Sequence, residues 1–65
     1  MNWDQIEGQW KQWQGRAQSE WGQLTGDDLT EVRGDRKRLE GKIQERYGKS
    51  KEDAREAVDA WLSRL

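Results

Sequence analysis

The sequence predicts a small all-α bundle of about four to five short helices, and three observations lead to it. Trp10, Trp13, Ala17, Trp21 and Leu24 recur at helical spacing, in a stripe narrower than about a third of a helix circumference. Ala54, Ala57, Val58, Trp61, Leu62 and Leu65 repeat that pattern near the other end and form the cleanest amphipathic stripe in the chain. Proline is absent and glycine punctuates in its place, at 8, 15 and 22 and again at 34, 41 and 48.

The elements follow in order. A short helical segment opens the chain, capped by Asn2 or Asp4, and a longer helix is expected over 9–22. Gly22 or Gly26 suits the left-handed position after its end. Thr25-Gly26-Asp27-Asp28 stops that helix and starts a second short one, with Asp27 and Asp28 supplying the negative charge that a helix N-terminus favours. Leu29 and Val32 are the apolar contacts of this segment. The next helix is expected over 35–47, presenting Leu39, Ile43 and Tyr47, with Gly48 ending it. Ser50 with Asp53 resembles a capping box, aspartate standing for the preferred glutamate or glutamine, and launches a last helix over 51–64. The linkers are so short that neighbouring helices must pack antiparallel or at steep angles.

The two glycine sets lie 26 residues apart, and the chain divides into a single domain over 1–65 with an internal pseudo-repeat of about 3–24 and 29–50 followed by the C-terminal helix. At that offset Ile6 pairs with Val32, Trp13 with Leu39, Ala17 with Ile43 and Trp21 with Tyr47, whereas Trp10 meets Arg36 and Leu24 meets Ser50. The match is partial. Two such copies indicate duplication rather than a solenoid.

Composition limits what the domain can do. A chain of 65 residues buries only about 60% of the surface that its unfolded form exposes, so stability is marginal. Hydrophobic residues are 31% and charged residues 38%, a lean toward disorder that a net charge of only −1 and five tryptophans offset. There is no cysteine, hence no disulfide framework or thiolate chemistry, and no histidine, which removes the commonest general base and metal ligand. The N-terminus MNWDQIEG carries acid where a secretory signal carries basic and then apolar residues, and nothing approaches a membrane span. A cytoplasmic, non-membrane protein is expected.

The residues that could carry chemistry each have a plainer reading. Indole faces can stack nucleic-acid bases, but the spacing of Trp10, Trp13, Trp21 and Trp61 favours core packing, with Trp3 the exception that could mark a contact surface. Gly15 and Gly41 should each cost about 1 kcal/mol relative to alanine, and they fall nearly opposite the apolar stripes. A bend or a second buried contact is the favoured use of such glycines, and a smooth face for a partner is the other. Residues 35–53 hold seven basic and five acidic side chains. Arg38, Lys42, Arg46 and Lys49 project along one side of their helix as a candidate polyanion or partner contact, although Asp35 and Glu45 share that sector and the interspersed signs favour a solvated mixed-charge face. Asp27–Asp28 and Glu52–Asp53 lack calcium-loop spacing. Gly48-Lys49-Ser50 lacks the earlier glycine of a phosphate loop. No catalytic, cofactor or metal residue is assigned, and no enzyme activity is expected.

The stretch IEGQWKQWQGRAQSEWGQLTGDDLTEVRG followed by LEGKIQERYGKSKEDAREAVDAW resembles the CsbD-like family of small bacterial stress proteins. The pattern G-x-W-K-x-x-x-G-x-x-x-x-x-W-G-x-L-T-x-D-D and the segment G-x-I-Q-x-R-Y-G are its most specific parts. The resemblance implies two helical hairpins packed across each other, a soluble cytoplasmic protein linked to general stress, no established biochemical activity and no functional residues to carry over. The expected function is that of a non-catalytic stress-response protein, a monomeric or weakly associating interaction module with an unknown protein partner and no cofactor. A hydrophilin-like protectant under osmotic or water stress is the alternative. Nucleic-acid binding through the basic row ranks below both.

Overall fold

Side-chain oxygens set most of the helix starts. In the computed structural model, which describes residues 2–65, the helices are α1 Trp3–Gly8, α2 Trp10–Glu20, α3 Gly26–Val32, α4 Arg36–Tyr47 and α5 Lys51–Arg64, with no strand among the described residues. The Asn2 side chain, rather than that of Asp4, accepts from the Gln5 amide at 3.2 Å. Asp35 accepts from the Lys37 amide at 3.0 Å and Ser50 from the Asp53 amide at 3.1 Å. The complete capping box lies elsewhere: Thr25 Oγ1 accepts from the Asp28 amide and Asp28 Oδ2 from the Thr25 amide, both at 3.0 Å. Ser50–Asp53 makes the forward half of that exchange. Only α2 starts without a side-chain cap, because it continues from α1 through a kink at Gln9 (φ −129°, ψ 39°).

The helix ends show where backbone conformation needs glycine and where it does not. Gly48 is left-handed (φ 65°) and closes α4 as expected, its neighbour Lys49 donating to the Gln44 carbonyl at 3.2 Å. Helix α2 ends two residues before the expected Gly22. Trp21 leaves helical geometry and buries its ring 5.0 Å from that of Trp61. Neither Gly22 nor Gly26 adopts positive φ, and Gly26 instead begins α3. The tight turn after α3 places Arg33 at φ 53°, a conformation that costs a non-glycine residue about 1 kcal/mol or more, and then Gly34 at φ 79°. A Cβ on Gly34 would also come within 3.2–3.3 Å of Glu7, so α1 presses directly on this turn.

Consecutive helices fold back on one another, and the two ends of the chain meet across the core. Trp10 Nε1 donates to the Leu29 carbonyl at 2.8 Å and ties α2 to α3. Arg36 on α4 reaches Asp59 at 2.7 Å, so α5 runs antiparallel to α4. The α2–α3 and α4–α5 hairpins close on each other where Trp61 lies edge-on to both Trp13 and Trp21. Ile6, Leu39, Ile43, Ala54 and Val58 are fully buried at the centre.

Of the first apolar stripe, Trp10, Ala17, Trp21 and Leu24 are buried, whereas Trp13 packs at the margin. Its ring meets Trp61 edge-on at 6.2 Å and carries the Arg16 guanidinium 5.0 Å from its centroid. The wheel placed Trp13 on the right face of the helix. That spacing does not show that the ring is left half-buried.

Candidate functional site

The expected basic row is assembled on α4, but α3 supplies acids opposite it. Asp28, only 4% exposed, accepts from Arg46 Nε at 3.0 Å and Arg46 Nη2 at 3.1 Å, with Lys42 Nζ at 3.5 Å. Lys42 also pairs with Glu31 at 2.7 Å. Arg38 donates to the Glu31 carbonyl at 3.3 Å and lies 3.7 Å from Asp35. Lys49 stands apart, over the Tyr47 ring at 5.9 Å. The structure therefore joins Arg38, Lys42 and Arg46 in one network with Asp28 and Glu31, and leaves Lys49 outside it.

This network perturbs protonation in the direction that its charges dictate. The bidentate Arg46 contact, joined by the Thr25 amide and opposed by burial, holds the Asp28 carboxyl well below the usual carboxylate range. Its hydrogen bond to Glu31 raises the Lys42 ammonium above its ordinary value. Among the described residues every buried side-chain nitrogen or oxygen has a partner, and no group of three or more His, Asp or Glu side chains is placed to hold a metal ion.

Two of the surface depressions adjoin the charged faces of the helices. The smaller, about 410 Å³, surrounds Gly41 and is lined by Glu31, Arg38, Lys42 and Glu45. A Cβ at Gly41, or at Gly15 on α2, would meet nothing within 4 Å, so neither glycine makes room for another part of this chain. The larger, an open cleft of about 820 Å³, lies between α1, α4 and α5. On its floor Arg36 bridges Glu40 and Asp59, each at 2.7 Å. Trp3 forms one wall, its indole N–H donating to the Gly34 carbonyl at 2.7 Å.

Sequence reasoning flagged Trp3 but missed the cations around it. Lys37, Lys51 and Arg55 line the cleft, and none of them forms an ion pair among the described residues. Their signal was weak because Lys37 lies off the row formed by Arg38, Lys42 and Arg46, and the other two belong to a different helix. The antiparallel α4–α5 register brings them together. No helix among the described residues is long and apolar enough to cross a membrane.

Comparison with known proteins gives a consistent result. The chain is 50% identical over 64 residues to the UPF0337 protein YjbJ of Escherichia coli O6:H1, an alignment covering 98% of this chain and 93% of that protein. It is 54% identical over 61 residues to the UPF0337 protein ECA0631 of Pectobacterium atrosepticum, covering 94% and 88%. With the UPF0337 protein YjbJ of Salmonella typhimurium it shares 48% identity over 64 residues, covering 98% and 91%. The CsbD-like family pattern matches residues 4–56. With that match spanning most of a five-helix domain, the chain belongs to the CsbD-like family.

Proposed function

We propose that this chain serves the bacterial stress response as a non-catalytic interaction module, a monomer that docks a protein partner on its glycine-bearing surface. One observation carries the reading: Gly15 and Gly41 sit in helix interiors with open space where a Cβ would be. Each costs about 1 kcal/mol of helix stability relative to alanine, and no internal contact offsets it. A surface without Cβ atoms lets another backbone approach closely. Around Gly41 the flanking Arg38 and Lys42, with Glu31 and Glu45, offer polar contacts at the rim of a shallow depression. Arg46, tied to Asp28, and Lys49, over the Tyr47 ring, lie farther along the chain and outside that depression.

Photo-crosslinking side chains introduced at positions 15 and 41 test the reading in growing and stressed bacteria. The expected result is a discrete adduct with one or a few proteins, abolished by a bulky neighbouring substitution that leaves the fold intact. Diffuse labelling in proportion to protein abundance would overturn it. A second reading, a protectant of other proteins during water stress, draws on the mean hydropathy of −1.41. It requires that a client enzyme dried with this protein retain more activity than one dried with an inert protein of equal size.

A further inference from the structure

We propose that the cleft between α1, α4 and α5 is a docking site for an acidic peptide segment of a partner protein. The proposal rests on the interaction-module reading and adds a second contact for a partner, outside the surface around Gly15 and Gly41. The Trp3 ring is half-buried, tilted against Trp10 at 5.8 Å and tethered through its N–H to Gly34. It forms a rigid apolar wall with little rotamer freedom left to lose on binding.

Charge bookkeeping around the cleft favours a negative occupant. Arg36 occupies both Glu40 and Asp59 on the floor, and Asp35 lies against Arg38. The groups left without an ion-pair partner are three cations, Lys37, Lys51 and Arg55, against one carboxylate, Glu7. Because Arg36 and Arg38 answer three carboxylates between them, the cleft and its bridging Arg38 carry a net charge of only +1, on a chain whose net charge is −1.

The layout favours a peptide over a phosphate chain. Lys37 and Lys51 mark opposite ends of the cleft, because Arg36 faces Asp59 while Gln44 and Lys51 line the other end. Along α4 that separation is on the order of 10 Å, more than a single anionic group spans. A nucleic-acid strand would bring a charge at every nucleotide past Glu7 and past two floor carboxylates that share one arginine. A peptide can set carboxylates against the lysines and pass neutral amides over those acids, with an apolar side chain against Trp3.

The test is an amide and indole NMR titration at low salt with a short glutamate-rich peptide containing leucine, with its glutamine counterpart and with an oligothymidylate. The acidic peptide should shift the Trp3 indole N–H and the amides of Lys37, Lys51 and Arg55. The double substitution Lys51→Glu with Arg55→Glu should weaken binding by about tenfold or more, as loss of two attractions and gain of two repulsions require, with an unchanged far-ultraviolet spectrum. Silence at these residues, equal binding of the glutamine peptide, or full affinity in the double variant would overturn the proposal. Preferred binding of the oligothymidylate here would reassign the cleft to nucleic acid. Concentration-dependent shifts at these residues without any peptide would make the occupant a second copy of the chain. If the cleft stays silent while crosslinks form at positions 15 and 41, this proposal fails and the module reading stands.

Discussion

Truncating Trp61 to alanine should be the most damaging single change in the molecule, and truncating Trp13 should be clearly milder. Trp61 is 3% exposed and packs edge-on against two indoles, at 5.0 and 6.2 Å. Its loss removes about 3–5 kcal/mol for a buried large-to-small change, with about 0.5–1.5 kcal/mol for each aromatic pair partly included in that figure. A domain of 65 residues has a total stability of about 3–10 kcal/mol. Trp61→Ala should therefore lose from about a third to all of the stability of the domain. Trp13 is half-buried and makes one aromatic pair, so Trp13→Ala should cost about half as much, roughly 1.5–2.5 kcal/mol. At about 4–8 °C per kcal/mol for a domain of this size, its melting temperature should fall by roughly 6–20 °C. Urea and thermal unfolding followed by far-ultraviolet circular dichroism make the comparison without relying on indole emission. Equal losses in the two variants would refute the reasoning, because they would mean that Trp13 is as deeply packed as Trp61.

Other expectations follow from the same structure. Asp28→Asn should cost about 1–2 kcal/mol at neutral pH, since it weakens charge-assisted bonds to a partly exposed Arg46 and the return bond to the Thr25 amide. Because the folded state lowers the Asp28 pKa, the wild-type advantage should be complete above about pH 4–5 and shrink as acid protonates that carboxyl, near 3.9 when unfolded. Urea midpoints at a series of pH values check this, and a gap that widens in acid would contradict it. Gly41→Ala should stabilise the domain by about 0.5–1 kcal/mol, because the new methyl meets open space. Gly34→Ala should destabilise it by about 1–3 kcal/mol, through positive φ and crowding against Glu7. Matching melting curves for these two glycine variants would show that the turn after α3 is not pinned by α1.

How far the sequence alone could be read depended on the distance over which each feature is decided. Gly48 and the Ser50 cap were legible because a left-handed residue and an N-cap are set within one turn of chain. The all-α class and most of the core were legible because helical periodicity marks a buried face before its neighbour is known. The end of α2 was not, because Trp21 leaves the helix to reach Trp61, forty residues away in sequence. The basic row shows the same limit. Arg46 and Lys42 looked like a free face on α4 until α3 brought Asp28 and Glu31 against them. The cleft beside Trp3 needs three helices at once, and no local pattern announces a site of that kind.

The tether between Trp3 and Gly34 has a kinetic consequence. Two indole N–H groups are each bound to a backbone carbonyl in a distant segment, Trp3 to Gly34 and Trp10 to Leu29. Helix α1 has six residues, with Ile6 as its one buried residue. It is therefore suited to detach by local unfolding, whereas freeing Trp10 requires α2 to separate from α3. The molecule thus carries two exchange clocks of the same chemical type. The Trp3 indole proton should be replaced by deuterium at the rate at which the first helix lifts, and the Trp10 proton only when the whole bundle opens.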